Sequence, residues 1–137
     1  MRIPNATYRI QFNPLFGIQS LRKTIPYLAE LGISDIYASP VFKARTGSYH
    51  GYDTVDPTQL NPELGTEEDF AILSEEVNRN GLGWIQDVVP NHMAYSFENK
   101  LLMDVLENGQ GSKYFTFFDI DWEHGYENLK GQIMALY

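Results

Sequence analysis

The sequence predicts an α/β protein in which parallel strands alternate with helices. Three segments have the character of strands, near residues 6–12, 35–40 and 83–89, and two stretches of helical spacing separate them. The first strand alternates apolar and polar side chains, whereas the other two are mostly apolar runs. Because helices or long connections separate the strands, the order β-α-β-α-β favours parallel pairing with right-handed crossovers. We therefore expect the strands to be neighbours in one sheet, in sequence order.

The two helices differ in how clearly the sequence marks their limits. The first is predicted from Ile18, where apolar residues recur at helical spacing as far as Gly32. Pro26 lies inside this pattern and is expected to kink or divide the helix. The second begins after Thr66, and Asp69 three residues later has the spacing of a capping box.

The remaining segments are predicted to be mostly irregular. Residues 43–65 read as one long loop rich in glycine and proline, and its tyrosines favour an ordered, functional loop. After His92 we expect a short helix over 101–106 and an extended, aromatic-rich stretch over 114–122. Residues 129–137 show no clear element.

The composition of the chain restricts the kinds of partner it can bind and the cellular compartment expected for it. The chain has 18 acidic and 10 basic side chains, a net charge of −8, which disfavours nucleic acid or an anionic membrane as a partner. No apolar run approaches the roughly 20 residues of a membrane span, and no signal peptide is expected. The absence of cysteine excludes disulfides and thiolate metal sites and is compatible with a cytoplasmic protein.

Candidate functional residues follow the second and third strands, where sites form in parallel α/β sheets. They are His50, Tyr52, Asp53, Asp87, Asn91 and His92. A carboxylate within an apolar strand is costly unless it is paired, so Asp87 is either a site residue or a structural acid tying loops together. His92 could be a core histidine. His50 and Tyr52 could pack a turn, and Asp53 could cap one.

Two of these segments resemble known motifs. Residues 87–92, an acid, two apolar residues and then Pro-Asn-His, resemble the first signature of the α-amylase superfamily. Residues 50–53, His-Gly-Tyr-Asp, are similar to the loop that shapes the sugar site nearest the scissile bond there. A narrower resemblance, to the maltooligosyltrehalose synthase family, is carried by residues 7–12, 37–40, 55–58, 61–65, 104–109 and 118–122.

The resemblance implies the amino-terminal β-α-β-α-β portion of a (β/α)₈ TIM barrel of α-amylase type. Residues 1–137 would be a partial catalytic domain, and residues 93–137 would begin the insertion after the third strand. The implied reaction is an intramolecular transglucosylation in trehalose biosynthesis, which converts the reducing-end α-1,4 bond of a maltooligosaccharide to α,α-1,1. It is a glucosylmutase reaction of the retaining type and requires two carboxyl groups.

The resemblance also assigns roles to the candidate residues. His92 would bind a hydroxyl of the sugar at the cleaved bond, and Tyr52 would stack on that ring. His50 and Asp53 would line the same pocket. Asp87 would organise the network at the strand ends, and Asn91 would tie the adjoining loop. No cofactor and no metal ion are expected.

The resemblance places no catalytic residue in this chain, because the family's nucleophile and acid/base lie on later strands, beyond Tyr137. We therefore expect the chain to be inactive alone. A non-catalytic fragment that binds glucan or a partner, and part of another α-amylase-type hydrolase, remain alternatives. Open sheet edges and an inner face expected to be apolar also predict that the chain is self-associated, covered by the remaining barrel, or partly molten.

Overall fold

The computed structural model describes residues 3–123 and 125–130, which belong to two compact units, Met1–Ala94 and Tyr95–Tyr137. Each unit is built around its own helices. The elements of the first unit, in chain order, are β1 (Thr7–Ile10), α1 (Ile18–Glu30), β2 (Asp35–Ala38), β3 (Phe42–Ala44), β4 (Thr54–Leu60), α2 (Glu67–Arg79) and β5 (Gly83–Gln86).

The central sheet has the order β1-β2-β5, and both strand pairs are parallel. The predicted β-α-β-α-β arrangement is therefore confirmed, although each strand ends earlier than the sequence pattern suggested. The first strand shows why. Beyond Ile10 the backbone amide of Phe12 donates to the side-chain oxygen of Ser39 at 2.8 Å, so side-chain bonding replaces the regular ladder.

Helices α1 and α2 cover one face of this sheet and form the core with it. The buried residues of this core include Ile10, Phe12, Ile36 and Ala38 from the sheet side and Leu21, Ile25, Leu28, Leu73 and Val77 from the helices. The alternate strand positions point to the opposite face, because successive side chains in a strand alternate. That face carries Arg9 and Tyr37, so the expectation of an apolar inner face was wrong.

Helix α1 runs without a break from Ile18 to Glu30, so Pro26 does not divide it. Pro26 lies on the exposed side, whereas Ile25 and Leu28 on either side of it are buried against the core. Tertiary packing therefore holds the helix together across the missing N–H group. In α2 the predicted capping box is confirmed: Thr66 and Asp69 each accept a hydrogen bond from the other's backbone amide.

The segment predicted as one long loop contains an antiparallel hairpin of β3 and β4. Irregular pairing within this hairpin, and Pro57 at an exposed position of β4, explain why the sequence pattern concealed it. The end of the segment approaches α1 closely, because the amide of Ile18 donates to the carbonyl of Leu64 at 2.8 Å. A Cβ atom on Gly17 would lie 2.4 Å from that same carbonyl oxygen.

The second unit contains α3 (Lys100–Asn108) and short 3-10 turns at Gly109–Gly111, Phe115–Phe117 and Glu127–Leu129. The predicted short helix is confirmed. The extended stretch predicted over 114–122 was wrong, because its aromatic rings pair locally and the backbone turns. The ring centroids of Tyr114 and Phe117 are 5.7 Å apart, and those of Phe115 and Trp122 are 5.9 Å apart.

Of the terminal segment expected to lack structure, residues 131–137 lie outside the described residues, and Leu129 ends a 3-10 turn. The assignment of residues 1–137 to one catalytic domain, with residues 93–137 as an insertion, stays a prediction. Across residues 3–123 and 125–130, no helix has the length and apolarity needed to cross a membrane.

Candidate functional site

A polar cluster lies on the face of the central sheet that the helices leave uncovered. Arg9 in β1 and Tyr37 in β2 are register partners, and the Arg9 guanidinium carbon lies 4.3 Å from the centroid of the Tyr37 ring. Asp87 follows β5 directly, and its amide donates to the carbonyl of Ala38 at 3.0 Å. Arg9 Nη1 donates to Asp87 Oδ2 at 3.0 Å, which links β1 to the residue that follows β5.

Tyr52, from the loop between β3 and β4, completes this cluster. Its hydroxyl donates to Asp87 Oδ2 at 2.5 Å and accepts from Arg9 Nη2 at 2.6 Å. The Tyr37 hydroxyl donates to the same carboxylate oxygen at 3.3 Å. Three side chains therefore converge on one oxygen of Asp87, whose own side chain is only 17% exposed. The charged group that the sequence placed in an apolar strand is therefore paired with Arg9 and bonded to two tyrosines through this oxygen.

These contacts set the protonation states of the cluster. The hydrogen bond from Tyr52, followed by the bond and positive charge of Arg9, holds the pKa of Asp87 below its ordinary value, although burial opposes this. The bond to Asp87, with burial, raises the pKa of Tyr52, and Arg9 opposes that rise. At neutral pH the carboxylate is therefore ionised and the phenol protonated. Asp87 is unsuited to donate a proton in that range.

The loop that carries Tyr52 is folded back on itself by Asp53. Asp53 Oδ1 accepts from the Ser48 hydroxyl at 2.5 Å, and Oδ2 lies 3.4 Å from Nε of Arg45 in an ion pair. The Ser48 hydroxyl in turn accepts from the amide of Gly51 at 3.1 Å. Gly51 has a φ of 77°, and a Cβ atom there would lie 3.0 Å from the carbonyl oxygen of Pro40. Glycine is therefore needed where the loop presses against the chain leaving β2.

His50 packs beside Tyr52 in this loop. The two rings are stacked with centroids 6.1 Å apart and an interplanar angle of 25°. The amide of Tyr52 donates to His50 Nδ1 at 3.1 Å. The His50 side chain is 54% exposed and presents its outer surface to solvent. A planar, partly open aromatic pair beside a carboxylate can bind a ligand that has both apolar faces and hydroxyl groups.

Asn91 and His92 occupy a different position from the other candidates. Both are exposed in the segment after Asp87, and neither forms a hydrogen bond or an ion pair with any residue that the structure describes. The structure therefore brings His50 and Tyr52 together with Asp87, and places Asp53 in the same loop. Among the described residues, it shows no hydrogen bond, ion pair or ring contact from Asn91 or His92 to them.

Sequence reasoning missed Arg9 and Tyr37, which hold Asp87 and Tyr52 in place. A signal was present, because a charged residue stood at an alternate position of a strand whose next neighbours were apolar. An arginine in β1 needs an acidic partner when it is half-buried, but the pattern does not identify which acid supplies it. Within the part of the chain that the structure describes, no group of three or more His, Asp or Glu residues is arranged to hold a metal ion.

The family of this fragment is decided by the extent of its sequence match. Residues 15–130 match the description "Alpha amylase, catalytic domain". The chain belongs to the alpha-amylase family. The family consists of enzymes that act on glycosidic bonds, and its barrel fold agrees with the parallel sheet described above.

Within the alpha-amylase family, the similar proteins include maltooligosyltrehalose synthases. A putative maltooligosyl trehalose synthase of Mycobacterium tuberculosis is 41% identical over 88% of this chain and 17% of its own length. Maltooligosyltrehalose synthase from Arthrobacter ramosus is 39% identical, and its structure matches with a TM-score of 0.84 over 88% of this chain and 16% of that one.

Other members of the alpha-amylase family are also related to this chain. The maltogenic alpha-amylase of Bacillus acidopullulyticus is 36% identical over 86% of this chain and 20% of its own length. This chain thus spans about one-sixth of the two synthases and one-fifth of the amylase.

Proposed function

We propose that this chain forms the sugar-binding amino-terminal part of a maltooligosyltrehalose synthase. The proposed reaction converts the reducing-end α-1,4 bond of a maltooligosaccharide to an α,α-1,1 bond. The observation that carries the proposal is the position of Tyr52, whose hydroxyl is held between Arg9 and Asp87 while its ring stacks with His50. The similarity to named synthases supports the choice of reaction.

The proposed roles follow from these contacts and from the family resemblance. Tyr52 stacks on the sugar ring at the cleaved bond, and His50 extends the aromatic surface. Asp53 lines the same pocket and keeps the loop folded through Ser48. Asp87 organises the strand ends. The exposed His92 binds a sugar hydroxyl, and Asn91 ties the adjoining loop, when substrate and the remaining barrel are present.

The chemical step requires groups that this chain does not supply. A retaining mechanism uses one carboxylate as nucleophile and a second carboxyl group as acid and base. Asp87 serves neither purpose in the proposal: its lowered pKa makes it unsuited to act as the acid, and the three hydrogen bonds to its Oδ2 give it a structural role at the strand ends. The nucleophile and the acid/base therefore come from later strands of the barrel. The 137-residue chain alone is expected to release no product from maltopentaose.

The remaining barrel is the proposed partner of the β5 side of the sheet. In the first unit a groove of about 280 Å³ lies between α2 and β5, and the half-buried Phe70 and Trp84 line it together with the polar Ser74 and Asn78. An edge strand beside partly exposed aromatic side chains favours association with another element. The isolated chain is expected to sediment as self-associated species. A monomer at all concentrations would contradict this part of the proposal.

The proposed reaction can be tested by transplanting this sequence into a complete barrel. In the graft enzyme, residues 3–94 of this chain replace the matching segment of the Arthrobacter ramosus synthase. Isomerisation removes a reducing end without releasing glucose, whereas hydrolysis creates a reducing end. We expect the graft enzyme to lower the reducing-end count of a maltopentaose solution. A parallel graft into the Bacillus acidopullulyticus amylase tests the hydrolase alternative.

Matched variants separate sugar binding from folding in this assay. Tyr52→Ala and His92→Ala in the graft enzyme are each expected to lower kcat/KM at least tenfold, about 1.4 kcal/mol of transition-state stabilisation. Tyr27→Ala removes an exposed tyrosine from α1 and is expected to leave kcat/KM unchanged. Activity in the amylase graft but not in the synthase graft would refute the proposed reaction. Inactivity of both grafts, with both folded, would favour the non-catalytic alternative.

The proposed compartment is the cytoplasm. The chain contains no cysteine at any of its 137 positions, so its fold does not depend on an oxidising environment. Fractionation of cells that produce the protein under its own promoter tests this directly.

A further inference from the structure

Arg9 contacts three other members of the polar cluster: Tyr37 in β2, Asp87 after β5 and Tyr52 in the loop. Its Nη1 donates to Asp87 Oδ2 at 3.0 Å and its Nη2 donates to the Tyr52 hydroxyl at 2.6 Å. The guanidinium plane covers the ring of Tyr37 with its carbon 4.3 Å from the centroid. The two terminal nitrogens of the guanidinium thus donate to different acceptors.

A second, weaker connection runs from β1 to the same loop. Arg9 Nη2 lies 3.5 Å from the side-chain oxygen of Gln11, and the Gln11 amide donates to the carbonyl of His50 at 3.0 Å. Arg9 in β1 and Gln11 just after it therefore contact the loop at both residues of the aromatic pair. If the contacts from Arg9 and Gln11 were lost, the hydrogen bond from Tyr52 to Asp87 would still connect the loop to the sheet.

We propose that Arg9 is a positioning residue for the sugar site, fixing Tyr52 and Asp87 in one arrangement before substrate binds. This inference rests on the proposed sugar-binding role of Tyr52. Arg9 itself need not touch the sugar, because its arms are occupied by Asp87 and Tyr52. A displacement of about 1 Å in such a group can reduce the rate about 100-fold, so the orientation of the Tyr52 ring matters for turnover.

Arginine is suited to this task in a way that lysine is not. The guanidinium is planar, presents two donors at a fixed angle and stacks on an aromatic face, whereas an ammonium group is a compact point charge. Lys at position 9 retains the attraction to Asp87 but cannot bond Asp87 and Tyr52 while covering Tyr37. Arg9→Lys should therefore recover only part of the function that Arg9→Met removes.

The first experiment measures turnover by the graft enzyme with Arg9→Met, Arg9→Lys and Tyr52→Phe. Arg9→Met is expected to lower kcat/KM at least tenfold, and Arg9→Lys less. In the Tyr52→Phe background Arg9→Met is expected to cost less than about threefold, because the hydroxyl through which Arg9 acts is gone. Arg22→Met is the matched control, since Arg22 forms a comparable ion pair with Glu76 on the helices at 2.8 Å. It should leave kcat/KM unchanged.

The second experiment uses the 137-residue chain itself and does not depend on activity. Nuclear Overhauser contacts between the His50 and Tyr52 rings are expected in the original chain and in Arg22→Met. They are expected to weaken in Arg9→Lys and to be lost in Arg9→Met. If Arg9→Met does not fold, the Arg9→Lys chain decides the question.

The outcomes separate this inference from the proposed function. Loss of the ring contacts only in the Arg9 variants supports positioning, even if the parent graft enzyme is inactive and the proposed function fails. Ring contacts that persist in both Arg9 variants overturn it. So does a loss of kcat/KM that is equally large with Tyr52 and with Phe at position 52, because Arg9 would then act independently of the tyrosine.

Discussion

Replacing Asp87 by asparagine isolates the charge at the centre of the polar cluster while keeping its shape. The oxygen that accepts hydrogen bonds from Arg9, Tyr37 and Tyr52 remains, but the bond from Arg9 is no longer made to an anion. A hydrogen bond to a charged group contributes about 1.5–3 kcal/mol and a neutral one about 1 kcal/mol. Because the Arg9 side chain is 33% exposed, solvent screens part of that difference. We expect Asp87→Asn to lower the free energy of unfolding by about 1–2 kcal/mol at pH 7.

The effect should depend on pH in a definite direction. The folded-state pKa of Asp87 is lowered, so its ionisation stabilises the fold above the unfolded-state pKa of about 4. That contribution is lost as the pH falls through the folded-state value. Urea unfolding followed by circular dichroism at pH 7, 4 and 2.5 would measure it. The gap between Asp87→Asn and the original chain should be largest at pH 7 and narrow below about pH 4.

Glu76→Gln is the matched control, because it removes one negative charge from the same acidic chain. Glu76 forms an ion pair with Arg22 between the two helices, with hydrogen bonds of 2.8 and 3.0 Å. The Glu76 side chain is 25% exposed against 17% for Asp87, so its loss should be smaller and should shrink more in 1 M salt than the Asp87→Asn loss. Equal stability of Asp87→Asn and the original chain at pH 7 would refute the reasoning. So would a gap of the same size at pH 2.5.

Two further predictions concern stability outside the polar cluster. Gly17→Ala should lower the free energy of unfolding by about 1–3 kcal/mol, because the new Cβ would lie 2.4 Å from the Leu64 carbonyl oxygen. Gly111→Ala is its control, because a Cβ atom added at Gly111 would have no neighbouring atom within 4 Å. Equal losses of stability in the two variants, measured by urea unfolding, would argue against the close approach at Gly17. Asn99→Ala should weaken α3 by about 1–2 kcal/mol, because the buried Asn99 side chain accepts from the amide of Leu102 at 3.1 Å. Unchanged amide exchange in α3 would contradict that role.

Most of the central fold was predictable from the sequence because local and long-range signals agree. The strand patterns, the glycine that follows α1 and the capping box of α2 each predict the element that forms, and parallel pairing follows from their order. The hairpin of β3 and β4 was missed for a physical reason. Its pairing is irregular and its second strand contains Pro57, so neither strand shows the regular alternation that a sequence pattern detects.

The candidate site was predictable in part. Residues marked by a local pattern were recognised, whereas contacts between residues far apart in the sequence were not. Asp87 was recognised because a carboxylate in an apolar strand needs a partner, and Tyr52 because its motif resembles that of a known family. The partner itself could not be read from spacing, since Arg9 lies 78 positions before Asp87. The expectation of an apolar inner face failed for the same reason. The alternation of β1 shows which of its side chains are polar, but not which distant residue pairs with them.

The polar inner face changes how the open sheet should behave. An exposed apolar face can associate with any hydrophobic surface, so it would favour nonspecific collapse or aggregation. Here Arg9, Asp87 and the two tyrosines satisfy one another within the first unit, so this face has little need of cover. The partly exposed aromatic side chains of Phe70 and Trp84 lie instead along the groove between α2 and β5. Association should therefore occur at the β5 side of the sheet and leave the polar cluster accessible to a ligand.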